Sequence, residues 1–165
     1  MAVNKFLLTL RRALSLPNDL LFYLRSNGDW KLRYPTEVII EHFLTKIDRA
    51  DAAKISAQLS QPFLQHWWHK GRINPIFYYI LDPETLLEDA AYAEDLYRVE
   101  MFVDGKKQWA NINFVTGRLY SVELPKPFKF YEGKAIALGD IKRGKASQSI
   151  TRAIDRLEHG RDDEV

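Results

Sequence analysis

Four histidines, at positions 42, 66, 69 and 159, and no cysteine define what metal or thiol chemistry this chain could do. Without cysteine there is no disulfide framework, no Cys-ligated zinc or iron–sulfur site and no thiol nucleophile. His66 and His69 stand three apart in a stretch that reads as a helix, so they could share a face. Metal-binding helices more often set histidines four apart and add a further ligand. No acid closely flanks this pair, so both imidazoles are expected to frame Trp67 and Trp68 at the rim of the core, and no metal site is assigned. The chain has no Gly-x-Ser-x-Gly elbow and no glycine-rich phosphate loop, so it offers no serine-hydrolase or nucleotide signature and implies no cofactor. Residues 82–100 hold seven carboxylates (Asp82, Glu84, Glu88, Asp89, Glu94, Asp95, Glu100) against one cation, Arg98. Crowded carboxylates raise one another's pKa, which a general acid needs. Such a run also serves as a plain solvated face. Glu132-Gly133-Lys134 has the letters of a nuclease strand end but no placed acid before it. No catalytic residue is therefore assigned, and a small hydrolase using carboxylates stands as one alternative.

Two other constellations suit binding. Residues 126–156 hold eight cations and three carboxylates. Within them Lys142, Arg143 and Lys145 run into a predicted helix capped by Ser147 or Ser149. Arg152 and Arg156, four apart, share one face of it. A basic loop at a helix start attracts anions, because the unpaired backbone N–H groups there add to the charge. The second constellation is aromatic. Phe63, Trp67, Trp68, Phe77, Tyr78 and Tyr79 fall within 18 residues. One helix and one strand cannot bury all of these rings on one side. Trp67, Trp68, Tyr78 and Tyr79, with Arg72 beside them, have the residue types of a protein-interface hot spot.

These side chains must be positioned by elements whose periods are readable. Phe6, Leu7, Leu10 and Leu14 form one stripe of a first helix, which reads as a core-packing helix rather than a signal peptide. A second helix runs from Pro17 to the Asn27-Gly28 stop. Thr36 is expected to cap a third, with Ile40, Phe43, Leu44 and Ile47 inward. Asp51 is expected to cap a fourth, with Ile55 and Leu59 inward. A fifth is expected from Pro62 to Gly71. Ile76 to Leu81 reads as a strand, and Asp82-Pro83-Glu84 starts another helix, towards Leu87, Ala90 and Ala91. Leu96–Val103 and Gln108–Val115 around Asp104-Gly105 read as a hairpin, extended through Thr116-Gly117 into Arg118–Leu124. Phe128–Tyr131 and Ala135–Ile141 are expected to be edge strands. A last helix spans 146–159, with Ile150, Ala153, Ile154 and Leu157 inward.

The result is an α+β fold: N-terminal helices packed on one face of an antiparallel β-meander, with a C-terminal helix. One domain covers 1–160, mainly helical over 1–74 and mainly antiparallel sheet over 75–141, followed by a frayed tail at 161–165. The 165 residues, 28% charged and 46% hydrophobic, suffice for one core. The formal charge of +2 excludes a strong overall field. No stretch has the length and apolarity of a membrane span, and a cytoplasmic location is expected. Taken together, these features favour a non-enzymatic protein-binding domain, of the kind an immunity, inhibitor or adaptor protein uses to cover a partner's surface. Nucleic-acid or phosphate binding through the basic segment is the second alternative. Its separated acidic and basic segments would also allow self-association.

Overall fold

The computed structural model describes residues 28–88 and 95–145. The expected helices before residue 28 and over 146–159, with Arg152 and Arg156, lie outside the described residues, as do Ala90 and Ala91. Within them seven strands form one sheet: β1 (Gly28–Asp29), β2 (Phe63–His66), β3 (Ile73–Tyr78), β4 (Asp95–Val103), β5 (Lys106–Val115), β6 (Arg118–Glu123) and β7 (Ile136–Lys145). Their order is β1-β2-β3-β6-β5-β4-β7, and every pairing is antiparallel. Helix α1 (Thr36–Leu44), helix α2 (Arg49–Leu59) and a single helical turn α3 (Phe128–Tyr131) complete an α+β architecture.

The meander follows from local chemistry. Val103 pairs with Lys106 across Asp104 and Gly105, whose φ angles are 50° and 75°. Val115 pairs with Arg118 across Thr116 and Gly117, at 48° and 75°. Two-residue turns with both φ positive match the twist of the strands they join, and Asp-Gly favours them. One sheet face carries Tyr97, Val99, Met101 and Val103 of β4, Ala110, Ile112 and Phe114 of β5, and Leu119 and Val122 of β6, all in the main core. Ile39, Ile40 and Phe43 of α1 and Ile55 of α2 join them. The Phe43 ring stands edge-on to Tyr97 at 5.0 Å and lies 5.8 Å from Phe114.

Several expectations are corrected. The predicted helix over 62–71 is strand β2 followed by a turn. Leu64 pairs with Phe77 and Gln65 with Ile76, and all four β2 residues are buried. A strand covered on both faces shows no polar alternation, so its period does not distinguish it from a buried helix. Strand β3 begins at Ile73, not Ile76. Pro75 is tolerated inside it because β3 bonds to β6 through 73–75 and to β2 through 76–78. Phe128–Tyr131 is helical rather than an edge strand: Pro127 precedes it, and Phe128 and Tyr131, three apart, are buried together. Asp48, not Asp51, caps α2, accepting from the Ala50 N–H at 2.8 Å. Thr36 is the first residue of α1 and makes no side-chain cap. The turn at Pro83–Thr85 begins at the expected Asp82 cap, but it is one 3₁₀ turn and the chain is extended again at Leu86. Finally, the sheet is not covered on one side alone. Leu64 is fully buried yet outside the main core cluster, on the face that also carries Asn113 and Ser121, each 2% exposed. The second face is covered only in part: Phe77 of β3 is 37% exposed, and Arg98 of β4 is exposed as well.

Candidate protein-interaction site

Among the described residues, the groups that could have carried catalysis are placed apart. The His42 Nε2 meets the carbonyl oxygen of Gly139 at 2.8 Å, tying α1 to β7. His66, in β2, stands edge-on to Phe77 at 4.7 Å. His69 is exposed in the following turn with φ 50°, so the expected shared helical face of His66 and His69 does not form. Among the described residues no group of three His, Asp or Glu side chains could hold a metal ion. The described carboxylates of the acidic segment are equally dispersed. Asp82 accepts from the Glu84 N–H, Glu88 pairs with Lys54 at 3.0 Å, and Glu100 pairs with Lys107. Hydrogen bonding from Lys107 holds the Glu100 carboxyl below the usual range, the opposite of what a general acid requires. Glu132 pairs with Arg33 at 3.3 Å while Lys134 pairs with Asp104 at 3.0 Å, so the nuclease-like letters serve two separate contacts.

The predicted basic loop is strand. Lys142 pairs opposite Arg98, Arg143 opposite Tyr97 and Lys145 opposite Asp95 on the outermost described strand. The ladder pairs Glu100 with Trp109 and Arg98 with Asn111, which puts Arg98, Lys142 and Trp109 on one face. Three cations surround that indole: Arg98, Lys107 and Lys142 lie 4.9, 5.1 and 5.4 Å from the Trp109 ring.

The aromatic hot-spot set does not assemble into one patch. Trp67 faces the core, edge-on to Phe128 at 5.7 Å, with the Arg33 guanidinium 4.4 Å over its ring. Tyr78 also turns inward. It stands edge-on to Phe63, and burial pushes its hydroxyl pKa up. Trp68 points to the other face, 6.4 Å from Phe77. Tyr79 joins Trp30 at 5.4 Å, and Arg72 is exposed on a separate turn.

A concave surface that sequence reasoning missed lies beside Tyr79. Trp30, Leu32, Ile40, Leu44, Leu59 and Phe63 line a groove of about 330 Å³, with Glu37, Glu41 and Lys31 also in its lining. Three features build it. Strand β1 pairs with β2 and so delivers Trp30 and Leu32 to the mouth. Helix α1 contributes Ile40 and Leu44 on the edge of its apolar stripe, and Glu37 and Glu41 one step round the same helix. Leu59 closes the far side from the end of α2. Trp30 is 39% exposed, and Ile80, next along the chain from Tyr79, is 57% exposed. The available signal was the acidic pair four apart beside Ile40 and Leu44, which marks a helix whose apolar stripe runs up to a charged edge. In comparisons with known proteins, no family model, no curated protein and no solved structure matches this chain.

Proposed function

We propose that this protein is a non-enzymatic binding module for another protein, with the acid-rimmed groove as its docking site. The observation that carries this reading is the apolar lining of the groove, with Trp30 of that lining 39% exposed. Apolar surface left in water gains roughly 25 cal/mol per Å² when a partner covers it. Large rings at the margin of a pocket are the residue types that dominate such interfaces. Glu37 and Glu41, both exposed, select the charge of the partner. The complementary ligand is an amphipathic helix with two or three apolar side chains on one face and Lys or Arg beside them, the helix-in-groove mode of recognition. As an immunity, inhibitor or adaptor protein it would act by covering its partner's surface, with no covalent step. Selection of displayed random peptides on the full chain tests this. Bound peptides should show apolar residues at helical spacing with flanking Lys or Arg, and the exposed double reversal Glu37→Lys/Glu41→Lys should release them. Peptides without that pattern, or indifferent to the reversal, would overturn the reading.

A further inference from the structure

A second surface, separate from the groove, collects positive charge from two distant segments. The turn after β2 carries Lys70 and Arg72, and the segment after β6 carries Lys126 and Lys129. All four side chains are exposed. The backbone knits the segments together: the Leu124 N–H donates to the Arg72 carbonyl at 2.7 Å and the Phe128 N–H to the Lys70 carbonyl at 3.2 Å. None of the four cations is joined to a carboxylate among the described residues.

The turn that presents this ridge is fixed in shape. His69, Lys70 and Gly71 are consecutive left-handed residues, with φ of 50°, 60° and 85°. Left-handed backbone is unfavourable for the first two, which carry a Cβ. Gly71 is required here twice over, by its φ and because a Cβ would collide with the Phe128 ring. The turn therefore holds its cations in place on packed aromatic structure.

We propose that this ridge binds the phosphodiester backbone of a single-stranded nucleic acid. Four exposed cations on two adjoining segments, none joined to a carboxylate among the described residues, match a polyanion better than a compact anion. The weak overall charge of +2 means that attraction must come from a local cluster. Trp68, half-buried, stands at one end, where its carbonyl accepts from the Gly71, Arg72 and Ile73 N–H groups. An indole beside a basic track offers a base a stacking surface. A lipid surface fits less well, because none of the four cation-bearing residues is accompanied by an exposed large apolar side chain on its own segment; Phe77, 37% exposed, adjoins only Trp68 of this surface.

The test is fluorescence anisotropy of the full chain with fluorescein-labelled oligouridine and oligothymidine of about twelve nucleotides, a length in the usual range for single-strand sites. Binding should weaken with salt with a log–log slope of about −3, as four neutralised phosphates require at roughly −0.7 each. Arg72→Gln/Lys126→Gln should reduce that slope by about 1.4 on the same basis and weaken binding at low salt by about tenfold or more. The control Lys107→Gln/Lys142→Gln should leave both unchanged. Absence of oligonucleotide binding at low salt would overturn the proposal. So would binding removed by the control rather than by the ridge variant, or capture by phosphatidylserine vesicles without capture by oligonucleotides. Circular dichroism verifies that both variants fold, and all four replaced side chains are exposed.

Discussion

Gln58 does more for this fold than its type suggests. It is fully buried in α2, where its Nε2 donates to the carbonyls of Thr85 at 2.8 Å and Gly117 at 3.0 Å. Its Oε1 accepts from the Leu119 N–H at 2.9 Å. One amide thus ties a helix, a 3₁₀ turn and the β5–β6 turn. Gln58→Leu removes all three bonds; the Gly117 carbonyl keeps the Leu87 N–H at 2.9 Å, while the Thr85 carbonyl and the Leu119 N–H lose this partner, at roughly 1–3 kcal/mol for each one that stays dry. A fall in unfolding free energy of at least about 2 kcal/mol in urea is expected on that basis; a change under 0.5 kcal/mol, the range of an ordinary surface substitution, would contradict the clamp. Buried tyrosines supply a second residue-scale outcome. Burial pushes Tyr131 up to about 12 from its ordinary 10, and Tyr78 moves in the same direction. The folded chain therefore keeps these protons where the unfolded chain releases them. Their contribution to stability is complete below about pH 10 and is lost as pH rises towards 12. Absorbance at 295 nm should show a late fraction of tyrosinate appearing together with loss of ellipticity; full titration near pH 10 with the fold intact would contradict it.

At the scale of elements, turn chemistry carries the strongest test. Gly117 has φ 75°, and a Cβ there would collide with the Leu87 carbonyl oxygen. Gly117→Ala should cost about 2 kcal/mol or more, through both backbone strain and displacement of the 85–87 segment. Thermal melting checks this, and an unshifted midpoint would count against the packing described. That turn and its Asp104-Gly105 counterpart were legible because a few adjacent residues determine them. The inward sets of α1, α2 and the meander were legible for a similar reason, since one covered side imposes a period. Strand β2 was not, because Phe63, Leu64, Gln65 and His66 are covered on both faces and leave no alternation. Phe128–Tyr131 was misread because Phe128 and Phe130, two apart around Lys129, also satisfy the alternation of a short strand. Lys142 to Lys145 was misread as loop because an outer strand rich in Lys, Arg and Gly resembles one. Those residues suit an outermost strand for a physical reason: charge there discourages pairing with a further chain.

For the whole molecule, the functional surfaces come from long-range assembly. The groove joins the residues that follow β1 to residues of α1, α2 and β2, and the basic ridge joins residues some fifty apart in the chain. No local pattern announces either. What the sequence did disclose was the raw material: separated charge clusters and more large rings than one sheet face can bury. The structure distributes that material differently from expectation. Trp67 and Tyr78 are drawn inward, while Trp30 and Ile80 take the exposed positions. The carboxylates at Glu37 and Glu41 lie beside the groove, and the four ridge cations stand on two other segments, so the two surfaces can act on partners of opposite charge. Mutations at one should leave the other intact, since distant sites without shared contacts behave independently.

Photo-crosslinking tests the docking claim most directly. With benzoylphenylalanine in place of Trp30, a substitution that keeps a large aromatic group at the groove mouth, the full chain is expressed in its native host and irradiated. The expected product is an adduct to one protein, at a segment with apolar residues at helical spacing and neighbouring Lys or Arg. Its yield should fall at least about tenfold with Glu37→Lys/Glu41→Lys, as loss of about 1.4 kcal/mol of binding requires. An adduct pattern identical to that from the same probe at exposed Glu84, unaffected by the charge reversal, would contradict the assignment of the groove as the binding site.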